Sequence, residues 1–203
     1  MPQVVAVLSR KGGVGKTTVA MNLALAAGSA TIIDTDPQAS AADWGDRRQG
    51  EPPEVITCPP ARLSQTIAKL KSRWVFIDTQ PSNSDGPVQA AQVADCCLIV
   101  TRPNQIDLDA IGSSLSIAKL VAKSGLVLLN QVQPQAKVDD VVSLLESTGA
   151  EVVPVLLRYR VDFVHAPAAG QGVLEYAPES KAAAEVRDLF RWLEKRVNAK
   201  AKA

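Results

Sequence analysis

Short apolar runs alternate along the chain with segments whose apolar residues recur at helical spacing. Val4-Val5-Ala6-Val7-Leu8, Ala30-Thr31-Ile32-Ile33, Trp74-Val75-Phe76-Ile77, Cys96-Cys97-Leu98-Ile99-Val100 and Leu126-Val127-Leu128-Leu129 read as strands buried on both faces, with Val55-Ile56-Thr57-Cys58 a weaker one. A further run, 152–157, is interrupted by Pro154 and predicts an edge strand. The intervening segments predict helices over 19–25, 41–48 and 88–93, and one that opens at Pro59-Pro60 with Leu63, Ile67 and Leu70 on one face. Leu108, Ile111, Leu115 and Ala118 mark a helix that starts near Asp107 and is ended by Gly125. Val138, Val141, Val142 and Leu145 mark another, stopped by Gly149, and the last runs over 179–198. Strands that are apolar throughout, alternating with helices, predict an α/β fold. Its sheet is twisted and mostly parallel, with about seven to eight strands and helices on both faces.

At 203 residues the chain is long enough for one substantial core, so we read 1–203 as a single domain with a flexible tail over 199–203. Hydrophobic residues are 46% and aromatics only 4%, which predicts an aliphatic core. The net charge of +1 supplies no global field toward nucleic acid or membrane, so any such attraction must be local. The chain opens on a strand, and no run approaches the roughly 18 apolar residues of a membrane span. Cys58, Cys96 and Cys97 lack metal-ligand spacing and read as small buried hydrophobes of a reducing compartment. We expect a cytoplasmic protein.

The chemistry is densest at Ser9-Arg10-Lys11-Gly12-Gly13-Val14-Gly15-Lys16-Thr17-Thr18, between the first strand and the first helix. Glycines there let backbone amides turn inward, the helix N-terminus adds partial positive charge, and Lys16 adds a cation. Thr17 would place a hydroxyl on a nucleotide's magnesium ion. These are the parts of a P-loop, except that Arg10 stands where the strict pattern has glycine. A dinucleotide fingerprint fails for want of its third glycine. Asp34 and Asp36 follow the second strand, where paired carboxylates can hold magnesium through its waters and orient an attacking water. Asp78 ends an apolar strand in the manner of a Walker B aspartate. Lys16, Asp36, Asp78 and Asn130 all follow apolar runs, so a parallel sheet brings them to one edge, where ligands bind.

Lys11-Gly12-Gly13-Val14-Gly15-Lys16-Thr17-Thr18, Asp34-Thr35-Asp36-Pro37-Gln38 and Phe76-Ile77-Asp78-Thr79-Gln80-Pro81-Ser82 resemble the three signatures of the ParA/MinD family of deviant-Walker ATPases. Leu128-Leu129-Asn130 resembles its adenine-reading segment, and Gly172-Val173-Leu174-Glu175-Tyr176-Ala177-Pro178 the turn before its last helix. The shortness of the chain and Trp44 make it most similar to small ParA proteins that position plasmids or other cargo. The resemblance implies a P-loop NTPase fold and a slow, magnesium-dependent ATP hydrolase, stimulated by a cargo-bound ParB-like adaptor. It implies a homodimer formed with ATP, in which Lys11 reaches the partner's phosphates. Lys16 would hold the β/γ-phosphates, with Gly12, Gly13, Val14 and Gly15 forming the cradle. Thr17 would bind magnesium, Thr18 the α-phosphate, and Asn130 adenine. Asp36 would orient the attacking water while Asp34 and Asp78 organise the metal's water shell. Two features depart from the pattern: Gln80 replaces the usual proline, and the span from Thr18 to Asp34 is short.

In the last helix Val186, Leu189, Phe190, Leu193 and Val197 form an apolar stripe, beside a basic ridge of Arg187, Arg191, Lys195, Arg196 and Lys200. Glu185, Asp188 and Glu194 partly neutralise that ridge, which is either a solvated face or a surface for non-specific DNA binding through phosphates. Dimerisation would double it, so ATP would switch DNA affinity and place the protein on the nucleoid. A MinD-like membrane-associated role would need a bulky apolar terminal helix, whereas Asn198-Ala199-Lys200-Ala201-Lys202-Ala203 has none, so we expect no membrane partner. The other alternative is a P-loop metabolic ligase of the dethiobiotin synthetase type, which has no need of Lys11.

Overall fold

The computed structural model describes residues 1–81 and 85–200, the side chain of residue 200 excepted. The strands are β1 (Gln3–Leu8), β2 (Ala30–Asp34), β3 (Glu54–Thr57), β4 (Trp74–Asp78), β5 (Cys96–Thr101), β6 (Ser124–Leu129) and β7 (Glu151–Val152). The helices are α1 (Lys16–Ala27), α2 (Ser40–Arg47), α3 (Leu63–Ile67), α4 (Asp85–Val93), α5 (Gln105–Leu120), α6 (Asp139–Ser147), α7 (Asp162–His165), α8 (Val173–Tyr176) and α9 (Lys181–Lys200). Among the described residues the strands form one seven-stranded sheet in the order β3-β2-β4-β1-β5-β6-β7, with every pairing parallel.

Alternation along each strand divides the core in two. Val5 and Val7 of β1 face the cluster shared with α1, α2, α8 and α9, and Val4, Ala6 and Leu8 face the cluster shared with α3, α4, α5 and α6. Cys96 and Cys97 fall on opposite faces, each buried and neither in a disulfide among the described residues. Most of the predicted stripe on α9 is buried in the first cluster, and Phe190 meets Trp74 edge-on at 5.3 Å. The helix is therefore committed to the core.

Four local expectations change. Gly125 lies inside β6, and α5 has already ended at Leu120. A Cβ at Gly125 would meet Ile99, Ala118 and Leu115 at 3.2–3.3 Å, so the glycine permits close packing of α5 on the sheet. Of the 152–157 run only Val152 joins the edge strand, which is Glu151–Val152, and beyond it single bonds, such as Leu157 N–H to the Leu129 carbonyl at 3.1 Å, hold the chain beside β6. The helix at Pro59-Pro60 is a 3₁₀ turn over Pro60–Arg62 followed by the short α3. The last helix continues to Lys200, into the segment read as tail; residues 201–203 and 82–84 lie outside the described residues, and with them Ser82, the last residue of the third signature.

Candidate functional site

The loop between β1 and α1 turns on Gly13 (φ 74°) and Gly15 (φ 92°). At Gly15 the restriction is twofold, because a Cβ would also lie 2.4 Å from Asn130 Nδ2. Gly15 is the N-cap of α1 and supplies no side-chain cap, and no acidic residue occupies the first turn. The first amides of α1 therefore keep their capacity to bind an anion. Lys16 opens the helix and is 7% exposed. Burial lowers its pKa, and the carboxylates of Asp78 and Asp36 oppose that effect.

Asp78, at the end of β4, accepts a hydrogen bond at Oδ2 from the Thr17 hydroxyl at 2.6 Å. Its other oxygen, Oδ1, is buried with no hydrogen-bond partner among the described residues. Burial pushes the carboxyl up to about 7; Thr17 and Lys16 pull it down, while Asp34 and Asp36 push it further up. An orphaned carboxylate oxygen beside a threonine hydroxyl is a hard-oxygen donor set, which suits magnesium. The residues present fit that ion.

Asp34 lies in register with Asp78 across β2 and β4, but its carboxylate is engaged locally. Oδ1 accepts from the Asp36 amide at 2.9 Å, and Oδ2 accepts from the amides of Ala41 and Ala42 at 3.0 and 3.1 Å. It thus caps the first turn of α2, where the sequence reading placed it in the metal's water shell. Burial raises its pKa and these amides lower it. Asp36, two residues on and half-buried, lines one cleft with Lys16, Thr17, Gln38, Ser40 and Trp44. Its Oδ1 holds the loop through the Gln38 amide at 2.9 Å.

Asn130 follows β6, is 6% exposed, and donates from Nδ2 to the Val14 carbonyl at 2.7 Å. Among the described residues that is its one side-chain hydrogen bond, so Oδ1 and the second N–H keep unused capacity. It also lines a neighbouring pocket with Thr18, Tyr159 and Phe163. Gln131, which the sequence reading passed over, donates from Nε2 to the Gly13 carbonyl at 3.1 Å and lines both cavities. Its signal was its place beside Asn130 at a strand end. Lys11 is on the same loop as Lys16 but does not line the cleft with it. With Ser9 it borders a small cavity facing Asp107 and Ser114 of α5; burial raises the pKa of Asp107, but Arg102 above all, then Asn104 and last Lys11, leave it lowered.

The structure does not bring the basic ridge of α9 together as read. Arg196 makes a bidentate ion pair with Glu151 (2.5 and 2.7 Å), which removes it from the ridge. Arg191 pairs with Asp188 at 2.9 Å, both largely exposed, and Arg187 donates to the Pro178 carbonyl. Arg187, Arg191 and Lys195 remain exposed, while the side chain of Lys200 lies outside the described residues. Arginine forks seek nearby carboxylates, and the spacing of cations along a helix does not reveal those partners.

A profile described as the CobQ/CobB/MinD/ParA nucleotide binding domain matches residues 5–173. The chain belongs to this family. Its ParA/MinD branch is well represented among similar proteins. Maintenance of carboxysome distribution protein A of Gloeobacter kilaueensis is 36% identical over 144 residues, which span 66% of this chain and 66% of that protein. Protein ParA of Rhizobium radiobacter is 32% identical over 124 residues, 56% of this chain and 55% of that one. The septum site-determining protein MinD of Pyrococcus horikoshii OT3, solved with Mg-ADP, superposes over the whole of both chains with a TM-score of 0.77 at 19% identity. McdA of Cyanothece, solved as a variant complexed with ATP, has a TM-score of 0.73 at 16% identity over 95% of this chain and 96% of that one. At such identities the two structures establish the shared fold.

The Asp78 carboxyl of this ParA/MinD-family chain makes its unliganded stability depend on pH. Its folded pKa of about 7 stands above the ordinary carboxylate range, so folding takes up a proton between about pH 4 and 7. The stabilising effect of that proton is present at acid pH and is lost as pH rises through 7. Asp78→Asn removes the charge and should raise the melting temperature at pH 8 by about 3–6 °C, roughly 1–2 kcal/mol. The gain should vanish near pH 4. Thermal unfolding in buffer without nucleotide or magnesium checks this, and a gain that does not change with pH would rule it out.

Proposed function

We propose that this chain is a magnesium-dependent ATPase that dimerises around ATP and positions a large intracellular cargo with the help of an adaptor protein. The observation that carries this reading is the pairing of Thr17 with Asp78 at the mouth of the loop, one carboxylate oxygen unpartnered among the described residues, beside buried Lys16. In this reading the glycine loop and Lys16 bind the β/γ-phosphates, and Thr18 lies next along α1 for the α-phosphate. Asn130 offers adenine its remaining amide hydrogen and oxygen. Thr17 and Asp78 hold the magnesium ion, which when bound supplies charge neutralisation on the phosphates. Asp36 orients the water, and Asp34 acts by fixing the Asp36 loop. Lys11 borders α5 and does not line its own chain's phosphate cleft, which supports action on a partner's nucleotide. The relatives named for carboxysome distribution and as ParA support a positioning role.

The finer reading is that the ATP dimer binds DNA non-specifically through Arg187, Arg191 and Lys195, without Arg196. The burial of α9 in the core leaves no free amphipathic face at the described C-terminus for a membrane. Among the described residues no helix is long and apolar enough to cross one. Gel filtration and DNA retardation with no nucleotide, ADP and ATP test both levels. The expected result is a dimer and DNA retention with ATP alone, the retention weakening about tenfold or more between 50 and 200 mM salt. A monomer in all three states would refute the dimer switch, and an ATP dimer without retention would refute the DNA-binding step.

A further inference from the structure

Arg48 lies one residue beyond α2, is 7% exposed, and takes no part in the site described above. All three guanidinium nitrogens donate: Nε to the Glu51 carbonyl at 3.1 Å, and Nη1 to the Gly170 carbonyl and Glu175 Oε2, both at 2.8 Å. Nη2 donates to Glu175 Oε1 at 2.8 Å and to the Pro52 carbonyl. The guanidinium carbon also lies 4.7 Å from the centre of the Trp44 ring, and the Trp44 indole N–H donates to the Gln171 carbonyl at 3.1 Å. Burying an arginine is costly unless its donors are met. Here two of the five bonds stay local, at Glu51 and Pro52, and the other three reach a segment more than a hundred residues away in sequence.

That segment is tied in turn to the phosphate-loop helix. Glu175 accepts from the Gly172 amide at 3.1 Å, and the Val173 amide donates to Asn22 Oδ1 at 2.9 Å. Asn22 is 2% exposed and donates from Nδ2 to the Thr18 carbonyl at 2.8 Å. A Cβ on Gly172 would fall 2.2 Å from Leu25 Cδ1 and 2.9 Å from Asn22 Oδ1, so the segment is seated directly against α1. On the other side α2 has eight residues, of which only Ala41 and Trp44 are buried. A helix that short is not stable alone, and its position is set by what holds its ends. Asp34 holds the first end and Arg48 the second. Asp36 is joined to α2 through the Asp36 carbonyl and Ala39 amide (2.8 Å) and the Ala39 carbonyl and Asp43 amide (2.9 Å).

We propose that Arg48, latched to Glu175, is a positioning residue that sets the distance between Asp36 and the phosphate loop by fixing α2 to α1. The inference rests on the reading of Asp36 as the residue that orients the water, and extends it to how that residue is held. Glu175 is suited to the latch. Burial alone would raise its carboxyl pKa, and the Arg48 guanidinium and Gly172 amide reverse this to leave it lowered.

The test compares Arg48→Lys, Glu175→Gln and Asp36→Ala in the full chain, each assayed for ATP affinity and for single-turnover hydrolysis per ATP bound. Lysine keeps the charge but cannot span four acceptor groups, and glutamine keeps the shape of Glu175 but weakens the bidentate pair. Both latch variants should hydrolyse bound ATP at least about tenfold more slowly, with ATP affinity within about threefold. A role confined to folding would lower bound ATP and turnover together and leave the rate per bound ATP unchanged. If Arg48→Lys folds poorly, Glu175→Gln carries the test. An unchanged rate per bound ATP in the folded latch variants, with Asp36→Ala slow, overturns the latch alone. A normal rate in Asp36→Ala overturns the reading beneath it, and the latch with it.

Discussion

Lys16→Ala should abolish useful nucleotide binding, with ATP affinity falling at least about 100-fold, while the unliganded fold survives. Lys16 is 7% exposed at the first position of α1, under a loop whose left-handed glycines turn amides toward the same space. A buried ammonium facing a phosphate exchanges the cost of its own burial for charge-assisted hydrogen bonds. Truncating such a partner costs about 3 kcal/mol or more. Without ligand the balance differs, because burial already lowers the pKa of Lys16 against the pull of Asp78 and Asp36. Removing the side chain relieves its own desolvation and deprives those carboxylates of a cation, and the two effects oppose. The unliganded melting temperature should therefore move by no more than about 3 °C. Isothermal titration with ATP and magnesium, paired with thermal unfolding, separates the outcomes. Unchanged ATP affinity would remove the P-loop assignment. Lost affinity with a collapsed melting temperature would show Lys16 to be a folding residue.

Asp36→Ala should give the opposite pattern: ATP binding and dimerisation retained, hydrolysis slowed by about 100-fold. The two aspartates of this loop differ in what their oxygens already do. Asp34 accepts from three backbone amides and serves the loop. Asp36 gives one oxygen to the Gln38 amide and lines the cleft with Lys16, which leaves Oδ2 for a water. Because phosphoryl transfer asks the protein mainly for positioning and charge neutralisation, removing a water-orienting carboxylate acts on turnover more than on binding. Gel filtration with ATP and a phosphate-release assay measure the two halves. A normal turnover rate would refute the role of Asp36, and loss of the ATP dimer would recast it as a binding residue.

The fold was legible because its strongest signal is local. Runs such as Val4–Leu8 and Leu126–Leu129, apolar at every position, are compatible with burial on both faces of a parallel sheet. The glycine loop before Lys16 requires the strand and helix found on either side of it. The weak elements had mixed signals. Gly125 looked like a helix stop because glycine is the ordinary terminator, yet its absent side chain serves the contact of Leu115 and Ala118 with the sheet. Pro154 marked the sheet edge correctly, but β7 is only Glu151–Val152, since proline withholds the amide that a longer ladder needs.

By itself the sequence determined the α/β class, the phosphate loop, the family, and the gathering of Lys16, Asp36, Asp78 and Asn130 at the strand ends. Each depends on neighbouring residues or on a direction of chain travel that all parallel strands share. Tertiary structure alone decided which oxygen of which carboxylate is occupied. It committed Asp34 to α2, left Asp78 Oδ1 without a partner among the described residues, took Arg196 for Glu151 and set Lys11 beside α5. It also joined Arg48 to Glu175 across 127 positions. Hydrogen-bond capacity is written in residue type, but which partner satisfies it depends on distances of about 3 Å between side chains far apart in the chain, and only packing sets those.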